Sequence, residues 1–346
     1  MRRVDRLSSK RFDCKCYFVD AKASHTEHLR KVLAEREYEA DNDRIVVRNN
    51  RFEEEVDSIL MEIQRRQPRA GRAIFLLDQT GFSQVSLALV ARILHELPTA
   101  EVILTFAADA LVNHLAATPS LIKAVAPLEL TESQIHDLIQ LKDGDGGKAL
   151  IQRTLREHIR IVTGAPYDTP FFIRPRQSRR ALWFLHLSKH PTARDVMIGC
   201  HWEIQNLFEH YGSGDFEMLG WDALNSGTLP LFHFEDLEAQ QMKEQLLNSM
   251  PKELFSLVSE APITVDVMRH MFANRTAARF SDLDEVVLRL FQEKEFDILN
   301  PDGKKRSRNL KRIGPIDRIA LPEMRLFPSF SRLALTLDNK RHTWGL

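Results

Sequence analysis

The chain has 346 residues, of which 43% are hydrophobic and 28% are charged, and these proportions exclude a disordered tail, a collagen-like rod and a membrane bundle. Lys and Arg together number 48, as do Asp and Glu, so the formal net charge is zero and a uniformly basic nucleic-acid coat is excluded. The length predicts two domains, or one large domain with an appendage.

The termini and the cysteines predict a cytoplasmic protein. Residues 1–10 carry charges but no apolar core, so we do not expect a signal peptide, and no stretch approaches the roughly 18 apolar residues of a membrane span. Three cysteines, Cys14, Cys16 and Cys200, are too few for a disulfide framework and suit a reducing compartment. Cys14 and Cys16 could supply thiolate ligands to a soft metal ion. We expect instead that Cys16 packs at the start of a strand.

Short apolar runs alternate with amphipathic helical patterns in the first part of the chain. Strands are predicted over 16–20, 44–48, 73–78 and 101–106, and helices over 24–36, 53–66, 83–97 and 108–118. Continuous apolar strands that alternate with helices are typical of a parallel sheet covered on both faces. We therefore predict an α/β, Rossmann-like domain over residues 1–211.

A strand pair is predicted to complete this domain after a helical insert at about 120–165. Residues 170–173 and 181–187 are so close in sequence that they can pair only as a hairpin. Four arginines occupy the connecting loop: Arg174, Arg176, Arg179 and Arg180. These four arginines could form a basic binding cluster, or they could simply be solvated; the sequence leaves both interpretations open. A parallel sheet finished by an antiparallel hairpin is the arrangement of class I S-adenosylmethionine-dependent methyltransferases.

A linker over 212–235 is predicted to separate this domain from a helical, winged-helix domain over 236–346. Helices are expected over 236–249, 251–259, 264–274 and after a Ser281 cap, and strands over 296–299 and 316–321. The last helix carries an apolar stripe formed by Leu283, Val286, Val287, Leu290 and Phe291. Helices followed by a hairpin with a basic tip are typical of a winged helix.

Asp20 and Asp78 are the candidate site residues of the sheet, because ligands of open α/β sheets bind beyond the carboxyl ends of the strands. Asp20 suits the ribose hydroxyls of a cofactor and Asp78 suits a substrate donor or a proton, although each could instead cap the following helix. Asp78-Gln79-Thr80-Gly81 stands where amine-modifying methyltransferases use Asp-Pro-Pro-aromatic, and Phe82 could stack on a base.

A basic segment is the candidate nucleic-acid interface. It contains Lys304, Lys305, Arg306 and Arg308, followed by Lys311 and Arg312. Phosphates neutralised by these side chains would release counterions and make binding salt-dependent. The preceding helix opens with Asp282, Asp284 and Glu285, which repel phosphates, so non-specific contact by the wing is favoured over base recognition. A solvated charge run is the alternative.

Three histidines near Cys200 form the remaining candidate cluster: His186, His190 and His201. Their spacing straddles Pro191, so a shared helical face is not expected. We therefore predict no metal site, with coordination at this cluster as the alternative.

The order of these segments resembles the three-Cys-motif partner proteins of bacteria and mobile elements, from about Tyr17 to about Leu321. Phe75 to Gly81 is similar to the family's strand that ends in Asp-Pro-aromatic-Gly, and Glu101 to Phe106, with Asp109 and Asn113 beyond, is similar to its next strand and helix. Leu185 to Pro191, followed by Met197 and Trp202, resembles its strand with Thr-Lys-His-Pro.

The resemblance implies a methyltransferase-like fold and S-adenosylmethionine as the cofactor. It also implies a nucleic-acid amine as the substrate and a three-cysteine-motif protein of phage type as the partner. Asp78 would then accept from the target, Phe82 would stack on it, and Asp20 would hold the cofactor ribose. The alternative function is a non-catalytic module that binds nucleic acid or protein.

The chain departs from the family at its start. Family members begin with a strand and a Phe-Ala-Gly-Pro-Gly loop, but the first glycine here is Gly71, and Asn49-Asn50-Arg51 replaces the usual Gly-Asp. We expect the central strand between those ending at Asp20 and Asp78 to be missing, which would leave two unpaired strand edges. A late start within a longer reading frame and a degenerate family member are both compatible with this difference.

Overall fold

The computed structural model describes residues 14–68, 71–79, 81–116, 118–142, 144, 147–173, 182–204, 216 and 236–322. Within these ranges the chain is a mixed α/β protein, as predicted. The predicted linker falls almost entirely outside the described residues, as does the loop with Arg174, Arg176, Arg179 and Arg180. None of the helices in the described ranges combines the length and the apolarity that a membrane crossing needs.

Strands and helices alternate at the beginning of the described chain. The strands are β1 (Cys16–Asp20), β2 (Ile45–Asn49), β3 (Ile74–Leu77) and β4 (Glu101–Phe106). The helices are α1 (Ala23–Glu35), α2 (Phe52–Arg66), α3 (Leu87–Glu96) and α4 (Ala108–His114). This order agrees with the predicted alternation, and the largest differences are that α3 begins four residues later and α4 ends four residues earlier than expected.

Three helices and a strand pair follow. The helices are α5 (Pro119–Val125), α6 (Glu132–Lys142) and α7 (Gly147–Thr163); the strands are β5 (Tyr167–Ile173) and β6 (Leu182–Ser188), and α8 (Pro191–Ile204) comes next. β5 and β6 are antiparallel, which confirms the predicted hairpin, and β6 also pairs antiparallel with β4.

The strands form two separate sheets where we expected one. β1 and β2 make a parallel pair, while β3, β4, β6 and β5 make a four-stranded sheet in that order. Each of β1 and β3 therefore has only one hydrogen-bonded neighbour among the described strands. The physical reason is that no described strand stands between them to carry the hydrogen bonds across.

β3 is covered on one face only, which corrects the prediction of a sheet buried on both faces. Phe75 and Leu77 are buried in the core formed with α2, α3 and α7. Ile74 and Leu76, which point to the opposite face, are 65% and 68% exposed. At the neighbouring sheet, Cys16 is also exposed rather than packed as expected.

A second group of elements follows the undescribed stretch. It contains α9 (Asp236–Val258), β7 (Ile263–Thr264), α10 (Val265–Phe272), α11 (Phe280–Gln292), β8 (Asp297–Leu299) and β9 (Arg318–Ala320). The three strands form an antiparallel sheet in the order β7-β9-β8. Their helices share a core with Phe171 of β5 and with Ile198 and Trp202 of α8.

Two boundaries in this part differ from the predictions. α9 continues through Pro251 instead of breaking there, because buried side chains repeat at every fourth position: Met242, Leu246, Met250, Leu254 and Val258. Their burial outweighs the roughly 3 kcal/mol that an interior proline costs. α11 begins at Phe280 rather than after a Ser281 cap, and the Asp282 carboxylate accepts a hydrogen bond from Arg279 N at 3.0 Å.

A buried arginine connects the two parts of the fold through hydrogen bonds. Arg194 of α8 is fully buried and donates to the carbonyl oxygens of Thr276 and Ala278, in the segment between α10 and α11. Its neighbour Asp195 accepts from Phe280 N at 2.7 Å, and Trp202 Nε1 donates to Ala277 O at 2.9 Å. Burial lowers the pKa of Arg194 to about 10, so the cation is retained at neutral pH.

Replacing Arg194 should weaken this connection. Arg194→Ala leaves two carbonyl oxygens without their donor, and we expect it to lower the free energy of unfolding by about 3 kcal/mol. The measurement is urea unfolding followed by tryptophan fluorescence. The control is Arg289→Ala, which removes an exposed pair with Glu293 and should cost no more than about 0.5 kcal/mol. Equal losses in the two variants would contradict the assigned role of Arg194.

Candidate functional site at the ends of the parallel strands

Asp78 stands exposed at the carboxyl end of β3, held by a residue of the next strand. Thr105 Oγ1 of β4 donates to Asp78 Oδ1 at 2.8 Å. The same hydroxyl accepts from Gln79 N at 2.7 Å, so it binds the first two residues after β3 to the end of β4. The other Asp78 oxygen has no hydrogen-bond donor among the described residues. The carboxylate is thus positioned by one contact and open to solvent.

Gln79 is a structural residue of this loop. Its side chain is 2% exposed, and its Oε1 accepts from the backbone N–H groups of Gln84 and Val85 at 2.9 and 3.1 Å. These bonds fold residues 81–86 back over the strand end ahead of α3. Its Nε2 is buried without a partner in the described part of the chain. Thr80, the next residue of the motif, lies outside that part.

Phe82 is half-buried and packs against the core beneath the loop. The contact between this ring and the core stabilises the loop. Part of the ring remains exposed to solvent. Phe82 lies only four residues after Asp78 in the sequence. The structure adds a contact between its ring and the core that the sequence did not indicate.

Asp20 has local partners at the end of β1. Its Oδ1 accepts from Lys22 N at 2.7 Å, and its Oδ2 contacts His25 Nδ1 at 2.8 Å. The backbone N–H of Lys22, followed by the His25 side chain, lowers the pKa of Asp20. Asn49 Nδ2 donates to Asp20 O at 3.0 Å and joins the ends of β1 and β2. The carboxylate therefore holds the turn that leads into α1, but it is not the cap of that helix, whose N-cap residue is Lys22 without a side-chain cap hydrogen bond.

The structure does not connect the two aspartates. Asp20 belongs to the β1–β2 sheet and Asp78 to the four-stranded sheet. Among the described residues, no hydrogen bond or ion pair links the surroundings of one to those of the other. The two candidate residues therefore stand at the ends of strands that belong to different sheets.

Removing the Asp20 carboxylate should affect stability at the start of α1. Asp20→Ala should lower the free energy of unfolding by about 1 kcal/mol near neutral pH. Because the pKa of Asp20 is lowered by folding, its stabilisation is complete above about pH 5 and is lost as the pH falls through the lowered pKa. Urea unfolding of both chains at a series of pH values measures this, and a difference that grows toward acid pH would contradict it.

Three of the six cations of the predicted wing form ion pairs within the fold. Asp297, which is nearly buried, pairs with Lys305 at 2.9 Å and with Arg308, while Arg306 pairs with Asp317 at 2.6 Å. Arg308 also donates to Phe296 O at 2.9 Å, and its guanidinium lies 4.2 Å from the centre of the Phe291 ring. These three side chains therefore connect the basic segment to β8 and to the end of α11.

Three other cations of the segment face solvent. Lys304, Lys311 and Arg312 are exposed, and they form no ion pair within the described residues. The backbone N–H of Lys304 donates to Asn300 Oδ1 at 2.8 Å, which fixes the tip of the turn. Of the four residues first proposed for nucleic acid, only Lys304 has this character.

The acidic start of α11 is largely neutralised. Asp284 pairs with Arg269, and Glu285 and Asp282 both pair with Lys243. Arg279 pairs with Asp282 at 2.9 Å as well. The start of α11 therefore presents ion pairs rather than a surplus of basic side chains.

The segment that resembles Thr-Lys-His-Pro lies at the other end of the sheet. Ser188 at the end of β6 pairs with Glu101 at the start of β4, so Lys189 and His190 are at the amino ends of the parallel strands. A shallow depression of about 450 Å³ there is lined by Arg160, Ile161 and Lys189, among others. His186 pairs with Glu101 at 2.7 Å, and His201 stacks on Phe171. In the described ranges, no three His, Cys, Asp or Glu residues are grouped to hold a metal ion.

Thr105 is the site residue that the sequence analysis missed. It is the one polar side chain within the apolar run Val102 to Phe106. A hydroxyl at that position in a buried strand is a signal that could have indicated a partner on the neighbouring strand, because buried polar groups require hydrogen bonds.

The comparisons with known proteins give no relative. No family model matches the chain, no curated protein matches it, and no solved structure matches it.

The described residues do not fit S-adenosylmethionine. The first glycine of the chain is Gly71, so the described residues around β1 and β2 contain no glycine loop of the kind that allows close approach of the backbone to a cofactor. The Asp20 oxygens that would receive a ribose diol already accept from Lys22 N and contact His25 Nδ1. We therefore derive no catalytic step through this cofactor.

Proposed function

We propose that this chain is a cytoplasmic, non-catalytic nucleic-acid-binding protein related to the three-Cys-motif partner family. The observation that carries the proposal is the exposed basic group Lys304, Lys311 and Arg312, next to Lys305, Arg306 and Arg308, which pair with buried acids. The paired cations hold the turn in place, so the exposed ones form a fixed basic surface that suits a phosphate backbone.

The arrangement of the second part supports a winged helix. Its elements follow the order helix, strand, helix, helix, strand, strand from α9 to β9, and the sheet order is β7-β9-β8. The basic group belongs to the connection between β8 and β9, which corresponds to the wing. The internal ion pairs of α11 favour wing contacts that do not depend on base sequence.

The strand arrangement supports the family relationship. Two parallel pairs followed by an antiparallel hairpin, with a break between β1 and β3, are what a methyltransferase-like sheet without its central strand would show. The sheet part would serve as a scaffold, and the partner would be a three-cysteine-motif protein of phage type. The alternative is S-adenosylmethionine-dependent methylation of nucleic acid, with Asp78 accepting from the target amine.

Salt-dependent binding tests the basic surface. The chain should bind a short DNA duplex and a single-stranded RNA without sequence preference. Simultaneous replacement of Lys304, Lys311 and Arg312 by Ala should reduce the slope of log affinity against log salt by about 2 to 3. Fluorescence anisotropy measures both quantities.

The control replaces three exposed cations of the sheet part, Lys31, Arg72 and Lys123, by Ala. This variant changes the net charge equally, so its slope should stay within experimental error of the parent chain. Absence of binding to both probes, or equal slopes for the wing variant and the parent chain, would overturn the proposal.

Calorimetric titration separates the proposal from the methyltransferase alternative. S-adenosylmethionine added at millimolar concentration should release no heat of binding, because the described residues around Asp20 contain no glycine loop. Micromolar binding that disappears in Asp20→Ala would instead establish a cofactor site at Asp20 and favour catalysis.

A further inference from the structure

Two exposed cysteines stand side by side at the start of β1. Cys14 and Cys16 both face solvent, and their Sγ atoms lie 3.9 Å apart. Side chains two positions apart in an extended chain point to the same side, whereas the side chain between them points to the other. The two thiols therefore form a pair on one surface of the molecule.

Contacts on the other side of the chain hold the backbone of this pair. The Lys15 ammonium group pairs with Glu62 of α2 and lies 5.2 Å from the centre of the Tyr17 ring. Cys16 N donates to Arg44 O, the residue before β2, at 2.7 Å. The backbone at the two cysteines is thus bound to α2 and to the start of β2, so a ligand that needs both thiols finds them already in position.

The separation of the two sulfurs suits a metal ion that bridges them. A metal–sulfur bond is about 2.3 Å long, so an ion bound to two sulfurs 3.9 Å apart has an S–metal–S angle of about 116°. This angle lies between the roughly 109° of tetrahedral and the roughly 120° of trigonal coordination. A disulfide bond is only about 2.05 Å long, so its formation would require a movement of the sulfurs as well as an oxidant.

The ligand set favours a soft ion of low coordination number. Thiolates select soft ions such as Cu(I) and Zn²⁺, whereas Mg²⁺ and Ca²⁺ prefer oxygen. Among the described residues, no third His, Cys, Asp or Glu joins Cys14 and Cys16. Structural Zn²⁺ sites take four protein ligands, which this surface does not supply from the described chain. Cu(I) accepts two or three thiolates and therefore fits the pair better.

We propose that Cys14 and Cys16 bind one Cu(I) ion per chain as a pair of thiolates. Each thiol loses its proton when it binds, so two protons leave for each ion. The third position of a trigonal ion faces solvent, where a small thiol can occupy it. The site lies at the start of β1 and does not depend on the basic surface at the wing.

Competition with a Cu(I) chelator tests the site. In the absence of oxygen, the full chain should take one Cu(I) per molecule from bicinchoninate. Cys14→Ser should lower the affinity by about 100-fold, because only one thiolate of the pair remains. The matched control is Cys200→Ser, which removes the other exposed cysteine and should keep the affinity of the parent chain. No transfer of Cu(I), equal affinity in Cys14→Ser and the parent chain, or loss of affinity in Cys200→Ser overturns the proposal.

A trivalent arsenical tests the pairing of the sulfurs in the unaltered chain. Phenylarsenoxide condenses with two neighbouring thiols, forming two As–S bonds and releasing one molecule of water. One molecule should protect Cys14 and Cys16 from alkylation while Cys200 still reacts, and peptide mass spectrometry identifies the alkylated residues. Alkylation of all three cysteines in its presence would contradict the assigned pair, and so would one arsenic atom shared between two chains.

Discussion

Backbone pairing is the constraint on which the sheet part depends. A strand inside a parallel sheet needs a hydrogen-bonded neighbour on each side, and β3 has β4 on one side only. The core beneath β3 is complete, because α2, α3 and α7 bury Phe75 and Leu77. Among the described residues nothing pairs with the outer edge of β3, the side chains of its opposite face are exposed, and Asp20 and Asp78 belong to different sheets. A site that draws on both aspartates would require the space between β1 and β3 to be filled.

The second constraint is the connection between the two parts of the fold. It relies on backbone carbonyls of residues 274–278, which accept from side chains of the sheet part. Arg156 donates to Asn274 O at 2.5 Å, and Arg194 binds Thr276 and Ala278. Burial of the Arg194 cation is costly, and its two terminal nitrogens offset part of that cost by donating to carbonyl oxygens, while its Nε has no partner among the described residues. These bonds favour one orientation of the segment. The wing is thereby held relative to the sheet.

Charge in this protein is mostly local. The net charge is zero, and many basic residues near the wing neutralise buried acids such as Asp297 and Asp317. Only cations without an acidic partner can attract phosphates with their full charge. Of the six basic residues near the wing, the three without an acidic partner are therefore those at which phosphate binding is expected. The other three stabilise the turn through their ion pairs.

The sequence by itself determined the elements and their order. Apolar runs ending in Asp20 and Asp78, the close spacing of β5 and β6, and the stripe of α11 are local patterns, so their periodicity was sufficient to place them. Tertiary structure alone decided the rest. Pro251 lies within α9 because the buried side chains around it fix the helix, and the hydrogen bonds of Asp20 with Lys22 N and His25 depend on how the chain turns from β1 into α1. The partners of Lys305, Arg306 and Arg308 come from β8 and from the residue before β9, and Thr105 meets Asp78 only because β3 and β4 are neighbours. These contacts join residues that are distant in sequence. Hydrophobic periodicity along the chain does not show which strands are neighbours in the sheet, so it cannot predict them.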